Sequence, residues 1–183
     1  DLRFLSSYHD HPTYIKALAD SIRSHWDEHG RADKLVLSYH GMPKRYLLEG
    51  DPYHCQCMKT SRLVAAELGL AEDDYMSTFQ SRFGRDEWLS PYTDETLQGL
   101  PDQGVKSLQI IAPGFSADCL ETIEEIGMEA VEDFQKAGGQ DLQLVPSLNS
   151  HPTWVAGVAD MIREHLQPQE TAASAKDRAS AAA

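Results

Sequence analysis

The chain is poor in cysteine, short of positive charge, and without a long apolar run. It holds three cysteines in 183 residues, Cys55, Cys57 and Cys119. An odd, sparse set does not build a disulfide framework, and a reducing cytoplasm is the expected setting. Cys55 and Cys57 form a C-x-C pair with no second pair. A structural zinc or an iron–sulfur cluster takes four ligands, so two ordinary thiols near a helix start are the plainer reading. Sixteen Lys and Arg against 29 Asp and Glu give a net charge of −13. That argues against a nucleic-acid partner, because binding to phosphates needs clustered cations. It is compatible with metal or cationic ligands, although most acidic surfaces are simply well solvated. No stretch approaches the roughly 18 consecutive apolar residues that mark a membrane span. The opening Asp1-Leu2-Arg3-Phe4 is unlike a signal peptide, and no Met stands first, so the sequence is expected to be cut from a longer chain.

What the chain does contain is an internal repeat at an offset of 140 residues. His11-Pro12-Thr13-Tyr14-Ile15 matches His151-Pro152-Thr153-Trp154-Val155, and Ala19-Asp20, Ile22-Arg23 and His25 match Ala159-Asp160, Ile162-Arg163 and His165. Between 1–25 and 141–165, eleven of 25 positions are identical. Each copy reads as a short strand, a turn, a Pro in the first helical turn, and an amphipathic helix. The intact protein is therefore expected to consist of two similar halves. Residues 1–30 would be the last strand and helix of the first half, 31–167 the second half, and 168–183, rich in Ala and without an apolar face, a disordered tail.

Between the two copies the pattern alternates. Strands are expected at 35–39, 75–80, 107–112 and 142–145; helices at 52–68, 93–99, 118–137 and 152–166. Strands separated by helices imply βαβ units and a parallel sheet covered on both faces, an α/β doubly wound fold.

In such a sheet, ligands bind beyond the carboxyl ends of the strands. His40 follows the first strand, Ser81 and Arg82 follow the second with Trp88 close behind, and Phe115 follows the third. Glu121, Glu125 and Glu129 are spaced i, i+4, i+8 on the next helix and form one stripe, drifting about 40° per step in a regular α-helix. A π-bulge would straighten it, and such bulges favour functional sites. A solvated acidic face is the competing reading, which Glu124, Glu132 and Asp133 support for part of the helix. His40 with Glu121 is a plausible pair for a divalent metal. Two ligands leave positions open, which suits a metal that must be handed on rather than one that holds a fold.

At these residues the sequence resembles the ferrochelatase family over about 1–166. The blocks that carry the likeness are Ser-Tyr-His-Gly-Met-Pro at 38–43, Gly-Asp-Pro-Tyr at 50–53, Phe-Gln-Ser-Arg-Phe-Gly at 79–84, Trp-Leu-x-Pro-Tyr-Thr-Asp-Glu-Thr at 88–96 and Pro-Gly-Phe-x-x-Asp-Cys-Leu-Glu-Thr at 113–122. The style is that of the proteobacterial enzymes. The resemblance implies a Rossmann-like chelatase fold, this chain being the carboxy-terminal half, and insertion of Fe²⁺ into protoporphyrin IX in haem biosynthesis. It implies His40 and Glu121 as metal ligands or proton acceptors, Glu125 and Glu129 as an acidic ladder, and Trp88, Phe115, Ser81 and Arg82 as walls of the porphyrin pocket. Iron is then substrate, and no iron–sulfur cluster is expected. The partners are protoporphyrin IX, ferrous iron and the missing amino-terminal half, in the cytoplasm, with room for peripheral contact with the inner membrane. Some relatives carry His where Cys119 stands. Three alternatives remain open: a cobalt or nickel chelatase of similar fold, a non-catalytic tetrapyrrole- or metal-binding module, and a periplasmic-type binding protein.

Overall fold

The computed structural model describes residue 2 and residues 4–166; the expected disordered tail lies outside the described residues. Helix α1 (Pro12–His29) opens at His11, whose Nδ1 accepts the Thr13 N–H at 3.3 Å, with Pro12 in the first turn. Pro suits that position because its missing N–H would have no intrahelical partner there. Gly30, at φ +78°, lets the chain leave the helix.

Strands β1 (Lys34–His40), β2 (Tyr75–Gln80), β3 (Ser107–Ile111) and β4 (Asp141–Leu144) form one parallel sheet in the order β2-β1-β3-β4. Side chains alternate between its faces, as strand geometry requires. Leu35, Leu37 and Tyr39 pack with α1 and with Val64 and Leu68 of α3 (Tyr53–Leu68). Val36, Leu108 and Ile110 pack on the opposite face with Leu97 of α4 (Thr93–Gly99) and Phe134 of α6 (Val131–Lys136). Both faces are covered, which is why the strands read as continuous apolar runs. Each fully buried aliphatic side chain contributes about 1.5–3 kcal/mol relative to exposure. No helix among the described residues is long and apolar enough to cross a membrane.

Four expectations change. The helix expected over 118–137 is three pieces: α5 (Leu120–Ile123), a π-helical stretch (Glu125–Ala130) and α6. The break is a ladder shift, with the Glu129 N–H bonding five residues back to the Glu124 carbonyl at 2.9 Å. A five-residue helix α2 (Lys44–Leu48) was not foreseen, since it buries no residue and so leaves no apolar period to read. Tyr92 takes the cap position of α4, and the Thr93 hydroxyl turns inward to Thr78 and Ser38. Among the described residues no strand forms at the chain's start: Leu2 and Phe4 have no strand partner, whereas their repeat counterparts Leu142 and Leu144 pair with Leu108 and Ile110 of β3. Helix α1, which the repeat assigns to the first half, packs into the core of this one.

Phe134 is fully buried, and a Cβ added at Gly139 would lie 2.2 Å from its ring. Phe134→Ala is expected to lower the unfolding free energy by about 3–5 kcal/mol, read from urea melts.

Candidate active site at the carboxyl rim of the sheet

His40 is the last residue of β1, paired with Gln80 of β2. It is two residues beyond Ser38, so it shares the face that Val36 and Ser38 present to α4 and α6. Gly41 follows because nothing larger fits: an added Cβ would lie 2.9 Å from the Gln80 carbonyl and 3.0 Å from the Trp88 ring. From there the chain runs antiparallel to residues 87–89, with Leu89 N–H bonding the Met42 carbonyl and Lys44 N–H the Glu87 carbonyl. The segment after β1 is thus one side of a short ribbon.

His40 Nδ1 lies 2.7 Å from the Gly41 carbonyl oxygen. A carbonyl only accepts, so Nδ1 must carry the hydrogen, which leaves the Nε2 lone pair as the free one. The backbone, not a neighbouring carboxylate, sets the tautomer. The Tyr53 hydroxyl donates to the His40 carbonyl at 2.9 Å and fixes the strand end. The ring is partly exposed and faces Phe115, with centroids 6.2 Å apart.

Glu121 sits in the one turn of α5, partly exposed. Its own backbone N–H and then the Cys119 thiol hold its carboxyl below the ordinary range against desolvation, with the nearby His40 charge adding to the effect. The histidine and the carboxylate meet at one rim through Gln80, which pairs with His40 in register and bonds the Glu121 carbonyl through Nε2 at 2.8 Å. Glu121, Glu125 and Glu129 line a groove of about 430 Å³ with Ser81, Arg82, Leu120 and Glu124. A second cleft, of about 260 Å³, runs on past Glu125 and Glu129 to Asp133 and Asp94. The π-helical stretch keeps the acidic stripe on one side.

Within that stripe the carboxylates differ. Both oxygens of Glu125 are engaged: Oε1 accepts the Ser81 N–H at 2.6 Å, and Oε2 accepts the Ser81 hydroxyl at 2.5 Å and Gln80 Nε2 at 3.2 Å. Ser81 adopts φ +62° to place both donors there. A non-glycine residue in that region is strained by about 1–3 kcal/mol, and such residues collect at functional sites. Glu125 is thus a clamp between the β2 end and the π stretch, while Glu121 and Glu129 carry no such clamp.

Trp88 and Arg82, expected in a pocket wall, also have other neighbours. Trp88 is only 6% exposed, packed against Gly41 and beneath Phe83, whose ring centroid is 4.9 Å away and which is itself 73% exposed. The Trp88 indole N–H finds no acceptor among the described residues. Arg82 turns from the rim to Asp94 and Glu95, at 2.9 and 2.8 Å, and stacks on Tyr92, because the acidic start of α4 attracts it. Ser81 and Phe115 lie at the rim.

Sequence reasoning passed over Gln80. Its side chain is almost fully buried: Oε1 accepts the Ser38 hydroxyl at 2.8 Å, and Nε2 reaches the Glu121 carbonyl at 2.8 Å as well as Glu125. A polar residue at an inward strand position was the available signal. Asp118 was also unassigned. It accepts from Asn149 Nδ2 at 2.6 Å and from the Ser147 N–H at 3.2 Å, tying the loop before α5 to the loop after β4. Among the described residues no cluster of three or more His, Cys, Asp or Glu side chains is arranged to enclose a metal.

Two measurements follow. Burial would raise the Asp118 carboxyl, but the bonds from Asn149, Ser147 and Thr122 outweigh it and leave the folded-state value below the ordinary carboxylate range. A depressed folded value adds stability that is complete above the unfolded pKa and lost as pH falls through the folded one. Asp118→Asn is expected to destabilise near neutral pH and to flatten the loss of stability below about pH 4, seen in melts from pH 7 to 2. Burial pushes the Cys57 thiol up to about 12. Iodoacetamide at pH 8 is expected to label exposed Cys55 in minutes and Cys57 only after unfolding, read by peptide mass.

Comparison with known proteins accords with this geometry. The family model for ferrochelatase matches residues 1–166. The chain is similar to the ferrochelatases of Marinobacter nauticus (56% identical, covering 100% of this chain and 50% of that protein) and Pseudoalteromonas atlantica (61%, covering 91% and 46%). It is also 59% identical to the ferrochelatase of Hydrogenovibrio crunogenus, covering 91% of this chain and 44% of that protein. The chain thus spans about half the length of the curated relatives it matches. With the parallel sheet, the rim histidine and the acidic groove already in place, these matches establish that the chain belongs to the ferrochelatase family.

Proposed function

We propose that this chain supplies the metal-handling half of an enzyme that inserts Fe²⁺ into protoporphyrin IX. The observation that carries the reading is His40 and Glu121 on one open rim, with an acidic groove leading away. The overall step exchanges two pyrrole N–H protons for one iron(II), giving haem and two protons. His40 Nε2, left free by the backbone bond at Nδ1, accepts a pyrrole proton. Glu121, held ionised, neutralises the imidazolium or meets the incoming metal. Glu129 and the surrounding carboxylates carry cations along the groove, while Glu125 keeps the groove wall in place.

Phe115 beside His40, with Phe83 laid over buried Trp88, offers flat apolar surface for the macrocycle. Pressing on the ring to expose nitrogen lone pairs is worth about 1–5 kcal/mol. Trp88 serves as a backing rather than a facing residue, and Arg82 as an anchor for α4. No iron–sulfur cluster enters the proposal, since three cysteines fall short of four ligands. Cys119, where a cobalt or nickel chelatase would place a second histidine, favours iron. We place the enzyme in the cytoplasm, in accord with its unpaired thiols, with the inner membrane as a peripheral contact.

The decisive assay restores an upstream half and follows iron-dependent loss of porphyrin fluorescence. His40→Ala and Glu121→Gln are each expected to slow it about 10²–10⁴-fold with folding intact by circular dichroism. Wild-type rates in both variants would remove the site assignment. The 183-residue chain alone is expected to show no measurable rate, since the other wall of the pocket is absent.

A further inference from the structure

Two histidines stand one helical turn apart at the end of α1, away from the rim. His25 and His29 are spaced i, i+4, and their ring centres lie 4.5 Å apart with the planes tilted by 44°. They sit where α1 ends and the chain turns into β1, at the amino edge of the sheet. His40 is at the other end of that strand, about 20 Å away at about 3.3 Å per residue.

The His25 ring is held in one tautomer. Its Nε2 lies 3.0 Å from Gln143 Oε1. The Gln143 amide is itself fixed: Nε2 donates to the Asp141 carboxylate at 2.7 Å, and Oε1 accepts from Gln109 Nε2 at 3.1 Å. Gln109 is fixed in turn, since Nε2 also donates to the Gly30 carbonyl at 2.9 Å and Oε1 accepts the Trp26 indole N–H at 2.7 Å. His25 Nε2 therefore carries the hydrogen, and Nδ1 keeps the lone pair. A metal-ligating histidine is oriented in this way, by a bond from its other ring N–H to an anchored oxygen.

A histidine at a helix end more often serves the helix dipole, and for that it must be charged. His25 is shifted the other way. Burial holds its imidazole below the ordinary pKa against the bond to Gln143, and His29 adds to the lowering. The distance between the rings suits a shared ligand. With metal–nitrogen lengths of about 2.1 Å, two imidazoles at neighbouring positions on one ion have centres about 4.5–5 Å apart. His29, with 42% of its side chain exposed, leaves the pair open to solvent, and Glu28 Oε1 lies 3.8 Å from its Nε2.

We propose that His25 and His29 form a second metal site, separate from the rim, for a divalent ion that prefers nitrogen donors: Cu²⁺, Ni²⁺ or Zn²⁺. Water completes the shell, because among the described residues no group of three ligands is present. Imidazole affinity rises from Fe²⁺ through Ni²⁺ to Cu²⁺, so the pair takes the ions that compete with iron and holds them at the far end of the sheet from His40. The bound ion also ties the last turn of α1 to β4 through Gln143. The inference is independent of the iron chemistry.

The test uses Ni²⁺ alone, titrated calorimetrically at pH 7.5 into the 183-residue chain carrying His40→Ala, which silences the rim. One equivalent is expected to bind, and His25→Ala and His29→Ala should each weaken it at least tenfold. No binding, or unchanged affinity in either variant, overturns the proposal. Melting separates ligation from a structural role. Saturating Ni²⁺ should raise the melting temperature of the parent by about 3 °C or more. His29→Ala should melt within about 2 °C of the parent without Ni²⁺, as for an exposed site, and lose the rise; a rise that survives in it overturns the site. Gln143→Ala should weaken binding about 10–100-fold, and Gln143→Glu, which still accepts from His25, should restore it; equal affinities in the two would overturn the part given to Gln143.

Discussion

The buried amide of Gln80 is the join on which the rim depends. It is the end residue of β2, paired with His40 in register, and its oxygen accepts from Ser38, two residues before that histidine. Its nitrogen reaches across to the Glu121 carbonyl and the Glu125 carboxylate. One side chain thus relates the strand that presents the imidazole to the turn that presents the carboxylate. A buried amide is tolerated only when its donors and acceptor are all engaged, since each unpaired group costs about 1–3 kcal/mol. Here all three are, so the network is rigid, and the geometry of two chemically active groups is inherited from one that does no chemistry.

The π-helical stretch follows from the same constraint. A regular α-helix from 120 to 136 would rotate its carboxylates steadily around the axis. The ladder shift at Glu124–Glu129 slows that rotation and leaves Glu121, Glu125 and Glu129 on a common groove. The strain of the shift is opposed on one side by the Ser81–Glu125 bonds and on the other by Ile126 and Phe134 in the core. Acidic residues gathered in this way repel one another, and engaging Glu125 with three donors lowers that repulsion where the row is most crowded.

The repeat carries a different lesson. Helices α1 and α7 (Pro152–Leu166) share the His-Pro-Thr at their starts and much of their apolar stripe, yet one is buried and the other half open. Local sequence fixes that a helix forms and which side is apolar. What covers that side is a property of the sheet it meets, which the helix's own residues do not encode.

Most of the architecture was written in the pattern of residues. The apolar run at 35–39, the β-rich run at 107–112 and the Pro and Gly boundaries sufficed for a parallel sheet with helices on both faces, because hydrophobic pattern and turn chemistry are local. The rim location of His40 and Glu121 came from the same pattern, by the rule that strand ends carry ligands. Tertiary structure alone decided the rest: that the Gly41 carbonyl sets the imidazole tautomer, that Glu125 is a clamp rather than a free rung, that Trp88 is buried beneath Phe83 and that Arg82 turns to α4. Each of these is a contact between residues far apart in the chain or a choice between neighbouring partners. Residue type and spacing state what a side chain can bond; only the packed fold determines which of its partners comes within reach.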